Sequence, residues 1–148
     1  MLSSIGTHAS TLCTSACAAL AVMLKALMEG DDKMLAVVHS TEAIYDELDP
    51  EIREVVDGSF LDKDPPQIKG SGYVVESLEA ALWAFWSSDS FEEAVLKAVN
   101  LGDDADTTGA VCGQLAGAYW GRSGIPKHLL KGLAKWKMID HVARSLIK

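Results

Sequence analysis

The sequence lacks the composition of several protein classes. Its 148 residues include only four prolines and three cysteines, so we expect neither a Pro-rich disordered chain nor a disulfide framework. Basic residues are also few, thirteen against twenty-one acidic ones, which gives a net charge of −8. Proteins that bind the nucleic-acid backbone need a basic surface that releases counterions. We therefore expect no nucleic-acid partner.

Long apolar runs are missing as well. No stretch reaches the roughly 18 uninterrupted apolar residues of a membrane span, although residues 105–120 come near it in character. No basic stretch precedes an apolar run at the start of the chain, so we expect no secretory signal. Cys13, Cys17 and Cys112 lie among small apolar residues, which predicts reduced core thiols. Together these features predict a cytoplasmic protein that does not contact a membrane.

Apolar residues recur instead at steps of three and four, the period of helices that bury one face. The pattern predicts helices over residues 9–29, 34–48, 50–56, 73–86, 91–99 and 138–147, and one from the acidic segment 103–106 to about residue 121. Gly30 is placed to end the first helix with a left-handed cap, and Ser90 with Glu93 forms a capping box. No strand alternation is present, so we predict one all-α domain over residues 1–148.

The long irregular segment 57–72 contains Gly58, Pro65, Pro66, Gly70 and Gly72. Loops of this length inside a compact domain often carry function. A surface excursion without a role is the alternative, and the sequence leaves both open.

The chemistry is concentrated in residues 100–109, which place three carboxylates and two hydroxyls at the start of a helix. One carboxylate would be enough to cap the helix, and three within four residues repel one another unless a cation offsets the repulsion. Asp104, Asp106 and Thr107 offer hard oxygen ligands of the kind that Mg²⁺, Mn²⁺ or Ca²⁺ prefers. From spacing alone, a solvated acidic N-cap without a metal remains an equal alternative.

Glycines at every fourth position, Gly109, Gly113, Gly117 and Gly121, give the following helix one bare stripe. An interior glycine costs up to about 1 kcal/mol relative to alanine, so a packing reason is expected. We predict that another helix packs closely on this stripe and holds the acidic loop rigidly.

Residues 102–121, GDDADTTGAVCGQLAGAYWG, resemble the C-terminal metal motif of the ADP-ribosylglycohydrolase family. Residues 71–85, SGYVVESLEAALWAF, resemble the segment that precedes the motif in that family. The similarity continues through Ile125 and Pro126 into the final helix, and Gly6-Thr7-His8 resembles a stretch before a central helix of the family. Together these segments cover nearly the whole chain.

The resemblance implies an all-α bundle in which two Mg²⁺ or Mn²⁺ ions orient an ADP-ribosyl group while its glycosidic bond is hydrolysed. It assigns Asp104, Asp106 and Thr107 as metal ligands. It places His8 at the ADP-ribose pocket, with Gly72 and Tyr73 at its border. A polar helix-start residue is the alternative for His8, and a packing aromatic is the alternative for Tyr73. No pattern supports a role for His39, His128 or His141.

Two departures from the family pattern bear on function. Asp103 stands where the family more often has a second glycine. The N-terminal metal ligands of the family, an acidic residue and a Thr-Asp-Asp motif, have no counterpart before Gly6. The chain therefore resembles only the C-terminal half of the family fold, and a truncated product, a split gene and a partner chain that supplies the rest are all open.

Three functions follow from these observations. The first is metal-dependent hydrolysis of the bond between ADP-ribose and a protein side chain or small molecule, with catalytic residues that the sequence does not identify. The second is a non-catalytic remnant that still binds ADP-ribose or metal. The third is a helical interaction module that self-associates, for which Leu20, Leu24 and Leu27 could provide an apolar surface.

Overall fold

The computed structural model describes residues 10–146. Within this range the chain forms helices, and no strand is present. The prediction of an all-α fold is confirmed. The α-helices are α1 (Thr11–Glu29), α2 (Pro50–Val56), α3 (Val74–Trp86), α4 (Phe91–Val99), α5 (Ala105–Gly124), α6 (Lys127–Gly132) and α7 (Trp136–Ser145).

Helix α3 lies at the centre of the bundle. Eight of its thirteen residues are buried, and it packs against α1, α2, α4 and α5. The largest fully buried side chains come from several elements, and they include Met23, Ile52, Phe60, Leu82, Phe85 and Leu115. Burial of one such side chain contributes about 1.5–3 kcal/mol, so this shared core holds α3 and α5 in a fixed relation.

The two caps predicted from the sequence, Gly30 and Ser90, both make capping hydrogen bonds. Gly30 adopts a φ of 100° and donates its amide to carbonyl oxygens of α1, as predicted. Ser90 accepts the amide of Glu93 at 3.2 Å, which is one half of the predicted capping box. The other half differs, because the Glu93 carboxylate accepts the amide of Asp89 at 2.9 Å. The bond from Ser90 is therefore where the capping box requires it, and only the bond to the Glu93 carboxylate is displaced by one residue.

The prediction of one regular helix over residues 34–48 is wrong. The structure has a π-helical turn at Leu35–His39 and a 3-10 segment at Glu42–Glu47. The hydroxyl of Ser40 donates to the Ala36 carbonyl at 2.5 Å, and such a bond to the preceding turn bends a helix. Thr41, at the junction of the two segments, is buried.

The glycine stripe of α5 packs on α4, as predicted. A Cβ on Gly109, Gly113 and Gly117 would lie 2.7, 4.0 and 4.0 Å from side-chain atoms of Val99, Val95 and Phe91, respectively. The stripe ends at Gly121, whose φ of 66° and ψ of 179° interrupt the helix. At the contact with Val99, α4 and α5 approach this closely only because position 109 is glycine.

The C-terminal helices lie on the outside of the bundle. Helix α6 is absent from the sequence-based prediction, and α7 begins before the predicted residue 138. Neither helix has a buried residue. Arg122 holds α7 through an ion pair with Asp140 at 3.0 Å and a contact with the Trp136 ring at 5.0 Å.

Helix α1 is long and apolar enough to cross a membrane by length and composition. Among the described residues, α1 is the helix that meets this criterion, and residues 105–120 do not meet it. Six of its residues are buried, Leu27 among them, and Leu20 and Leu24 pack half-buried against the core. Leu27 therefore belongs to the core, whereas Leu20 and Leu24 keep part of their surface exposed.

All three cysteines are free thiols, but the prediction that they lie in the core is right for only one of them. Cys112 is buried, whereas Cys13 is half-buried and Cys17 is exposed. Burial raises the pKa of the Cys112 thiol to about 12, so it stays protonated at neutral pH.

Candidate functional site

Asp104 is fixed where the acidic loop enters α5. Its backbone amide donates to the carbonyl oxygen of Gly70 at 2.8 Å, and its carbonyl oxygen accepts the amide of Thr108 at 3.1 Å. The first bond ties the loop to segment 57–72, and the second begins the helix. Asp104 is therefore held from both sides by the backbone.

The Asp104 carboxylate does not cap α5. It accepts no backbone amide of the helix. Its Oδ1 atom accepts the hydroxyl of Thr107 at 2.9 Å, and a Cβ on Gly72 would lie 3.6 Å from its Oδ2 atom. The alternative of a simple N-cap does not describe this carboxylate, because the hydrogen bond that it accepts comes from the Thr107 side chain rather than from the helix backbone.

Asp104, Thr107 and Gly72 face one concave space, which we name the site cavity. It has a volume of about 380 Å³. Helix α1 contributes Cys13, Ala16, Cys17 and Leu20 to its wall; the start of α3 contributes Val74, Ser77 and Leu78; α5 adds Val111. The cavity therefore combines an apolar wall with a carboxylate and a hydroxyl at one end.

A second concave surface, the outer groove, lies on the other side of the acidic loop. Its volume is about 880 Å³, and its lining includes Lys69, Gly70, Trp83, Leu96 and Asp103. Asp103 and Asp104 are adjacent in sequence but border different cavities. The carboxylate that departs from the family pattern therefore does not line the site cavity.

The donor set fits part of a hard-cation shell. Asp104 and Thr107 line the cavity, and Asp106 lies exposed in the same first turn of α5. Carboxylate and hydroxyl oxygens suit Mg²⁺ or Mn²⁺. Within residues 10–146, however, no three His, Cys, Asp or Glu side chains converge on one point. These oxygens could fill only part of an octahedral shell, and the remaining positions would need water or other groups.

Hydrogen bonds hold segment 57–72 against α3. The buried carboxylate of Glu79 accepts the hydroxyl of Ser59 and the ammonium of Lys63, the latter at 2.7 Å. The indole of Trp83 donates to Asp64 at 3.1 Å. Because these bonds hold the loop on α3, Gly70 presents its carbonyl to Asp104 from a fixed position.

Tyr73 is placed differently from Gly72. It does not line the site cavity, and its hydroxyl donates to Glu51 of α2 at 2.6 Å. This hydrogen bond to the carboxylate is the main reason that the pKa of Tyr73 is raised to about 12. His8, the other residue assigned to the pocket by resemblance, lies outside the described residues.

Among the wall residues that the sequence did not identify as part of a site, three carry a thiol or a hydroxyl: Cys13, Cys17 and Ser77. Cys13 and Cys17 share one face of α1, and their spacing of four was visible, but the sequence does not say which face meets the acidic loop. Ser77 lies inside the predicted helix 73–86, where no pattern sets it apart. Among residues 10–146 its buried hydroxyl has no hydrogen-bond partner, although Ser77 lines the cavity.

Comparison with known proteins identifies the family to which the chain belongs. A family model described as ADP-ribosylglycohydrolase matches residues 1–148. An ADP-ribosylarginine hydrolase of Pseudomonas putida (strain GB-1) is 39% identical over 140 residues, 95% of this chain and 37% of that protein. The ADP-ribosyl-(dinitrogen reductase) glycohydrolase of Rhodospirillum rubrum is 32% identical over 127 residues, 86% of this chain and 40% of that protein.

A solved structure supports the same relationship. A chain of an ADP-ribosylglycohydrolase-related protein complex superposes with a TM-score of 0.78 at 41% identity, covering 86% of this chain and 44% of that one. This chain thus spans less than half the length of these relatives. Because the family model matches residues 1–148, this chain belongs to the ADP-ribosylglycohydrolase family.

Proposed function

We propose that this chain carries part of an ADP-ribosylglycohydrolase site, which hydrolyses the glycosidic bond between ADP-ribose and a protein side chain or small molecule with the help of Mg²⁺ or Mn²⁺. The observation that carries the proposal is the Asp104 carboxylate, which lines the site cavity without capping α5. Two relatives are named for ADP-ribosylarginine and for ADP-ribosyl-dinitrogen reductase, which supports an ADP-ribosylated substrate.

In this proposal Asp104, Asp106 and Thr107 hold the ion. Bound there, the metal would act as a template and Lewis acid on an oxygen of the ADP-ribosyl group. The hydrogen bond from Thr107 to Asp104 orients the carboxylate before any ligand arrives. A preorganised ligand loses less conformational entropy on binding, so the rigid start of α5 favours metal binding.

The other wall residues would shape the substrate pocket. Gly72 presents no side chain beside Asp104, which leaves room for a sugar or phosphate next to the metal ligands. Leu20, Val74 and Val111 provide apolar surface that restricts water. His8 stays a predicted contact at the same pocket.

A non-catalytic binding module is the second candidate function. It is favoured because the described residues bring no third carboxylate, imidazole or thiol to the proposed metal position. Hydrolysis needs further ligands and a group that positions water, which a complementary polypeptide of the same family would supply. Binding of ADP-ribose without turnover is the expected behaviour of this chain alone if the second function applies.

Titration calorimetry of the 148-residue chain with ADP-ribose, with and without Mg²⁺ or Mn²⁺, tests the proposed site. We expect metal-dependent binding that is lost in the Asp104→Asn, Asp106→Asn double variant. Asp103→Asn is the matched control, because it removes a neighbouring charge that lines the outer groove. Equal binding by the double variant and the wild type would refute the metal-ligand assignment.

Turnover separates the two functions. Release of arginine from ADP-ribosyl-arginine by the purified chain, abolished in the double variant, would exclude the binding module. Metal-dependent binding without turnover would favour it and would direct the next assay to mixtures with the complementary family segment.

A further inference from the structure

Two thiols lie in the wall of the site cavity. Cys13 and Cys17 both border it, on the face of α1 that lies across from Asp104 and Thr107. Residues four apart on a helix have their Cβ atoms about 5–6 Å from each other, so the two side chains start from neighbouring positions on one helix face. Cys17 is exposed and Cys13 is half-buried, which leaves both open to small reagents.

The third cysteine differs from these two in its burial. Cys112 is fully buried, and its raised pKa keeps it as the thiol. Because the thiolate is the nucleophile, Cys112 is an internal control for the other two residues.

We propose that Cys13 and Cys17 form a two-thiol modification site for soft electrophiles, and that an adduct there closes the site cavity to the ADP-ribosyl ligand. The second half of this statement rests on the proposed function. The consequence is regulatory: reactive electrophiles or thiophilic trivalent metalloids would switch off ligand binding without touching the residues proposed to hold the metal.

The chemistry needs only the reagent and the two side chains. With a maleimide, one thiolate adds to the carbon–carbon double bond, a C–S bond forms as the π bond breaks, and the adjacent carbon takes up a proton. With an organoarsenic oxide, two As–S bonds form, and the oxide oxygen leaves as water with the two thiol protons. Neither reaction changes an oxidation state or requires a further reactant.

The first test is the position of modification in the folded full chain. N-ethylmaleimide followed by peptide mass spectrometry is expected to label Cys17 and Cys13 and to leave Cys112 free until denaturant is added. Phenylarsine oxide is expected to bind once per chain and to protect both N-terminal thiols together. The Cys17→Ser variant is expected to lose this arsenic bridge between the two thiols. If phenylarsine oxide protected only one thiol of the wild type from maleimide, the two-thiol site would be overturned.

The second test is the effect on ligand binding. Modified wild-type chain is expected to bind ADP-ribose with Mg²⁺ weaker by about tenfold or more. The Cys13→Ser, Cys17→Ser double variant should bind ADP-ribose with the same affinity before and after treatment. Unchanged binding by fully modified wild type would overturn the proposal while leaving the proposed function intact.

A third arm does not depend on ADP-ribose, so it separates the two proposals. Val111→Trp narrows the site cavity from the α5 side and is expected to slow Cys13 labelling severalfold, with Val111→Phe as a smaller change if the first does not fold. Leu96→Trp, in the outer groove, is the control. If the untreated chain does not bind ADP-ribose, the proposed function fails. Whether or not it binds, equal rates of Cys13 labelling in all variants would overturn the modification site.

Discussion

The carbonyl oxygen of Gly70 accepts the backbone amide of Asp104 at 2.8 Å. Gly70 is buried, and it is tightly enclosed on the side where a side chain would project. A Cβ there would lie 3.2 Å from the Gly102 carbonyl, 3.2 Å from Leu101 Cβ and 3.3 Å from Thr108 Oγ1. The start of α5 and segment 57–72 thus approach closely only because this position is glycine.

Gly70→Ala is therefore expected to move Asp104 and to lower the free energy of unfolding by about 1–3 kcal/mol. Urea unfolding measures the stability, and calorimetry with Mg²⁺ measures the effect on the site. Gly132→Ala is the matched control, since a Cβ there meets nothing within 4 Å. If both variants had the same stability, the close approach at Gly70 would not matter.

The contact between Gly109 and Val99 gives a second prediction. A Cβ on Gly109 would lie 2.7 Å from Val99 Cγ1, so Gly109→Ala should destabilise the chain by about 1–3 kcal/mol through overpacking. Adding Val99→Ala should recover part of this loss, which a double-mutant cycle of urea unfolding detects as coupling.

Gly113→Ala is the control on the same stripe. Its Cβ would lie at an ordinary 4.0 Å from Val95, so the helix propensity of alanine should stabilise the chain by up to about 1 kcal/mol. Additive effects of the Gly109 and Val99 changes would contradict the packing argument.

Local patterns in the sequence were sufficient for much of the fold. The apolar period predicted α1, α3 and α4 nearly to the residue, because each helix buries one face. Gly30 marked the end of α1, and Ser90 marked the start of α4. The contact of the glycine stripe with another helix was also predictable, since bare helix surface needs a close neighbour.

Tertiary contacts explain what the sequence did not reveal. The irregular path of residues 34–48 begins beside Lys33, whose ammonium donates to the carbonyls of Phe85 at 2.9 Å and Ser88 at 2.5 Å. That long-range bond to the end of α3 has no sequence signature. The same holds for Cys13 and Cys17, whose place in the cavity wall depends on how α1 is turned towards α5.

Asp103 supplies a third prediction, because it is a non-glycine residue with a φ of 50°. Side chains with a Cβ lose roughly 1–2 kcal/mol in this left-handed conformation. Asp103→Gly should therefore unfold at a higher urea concentration than Asp103→Ala, with a difference of about 1 kcal/mol. Both variants remove the same carboxylate, so charge is matched. An alanine variant as stable as the glycine variant would rule out backbone strain here.

The hydrogen bond from Tyr73 to Glu51 predicts a specific dependence on pH. The carboxylate raises the phenol pKa from 10.0 to about 12, so the folded state holds its proton where the unfolded state has lost it. The stabilisation is complete below pH 10.0 and is lost as the pH rises to about 12, because the unfolded state binds fewer protons in that window.

Tyr73→Phe removes this titration, so its stability should change less between those pH values than that of the wild type. Urea unfolding of both proteins at matched pH measures the difference. Glu51→Gln is a second variant: it removes the charge that favours the protonated phenol and should bring the Tyr73 pKa closer to its ordinary value, which the ultraviolet absorbance of tyrosinate reports. Parallel pH profiles for wild type and Tyr73→Phe would show that this hydrogen bond does not stabilise the fold in solution.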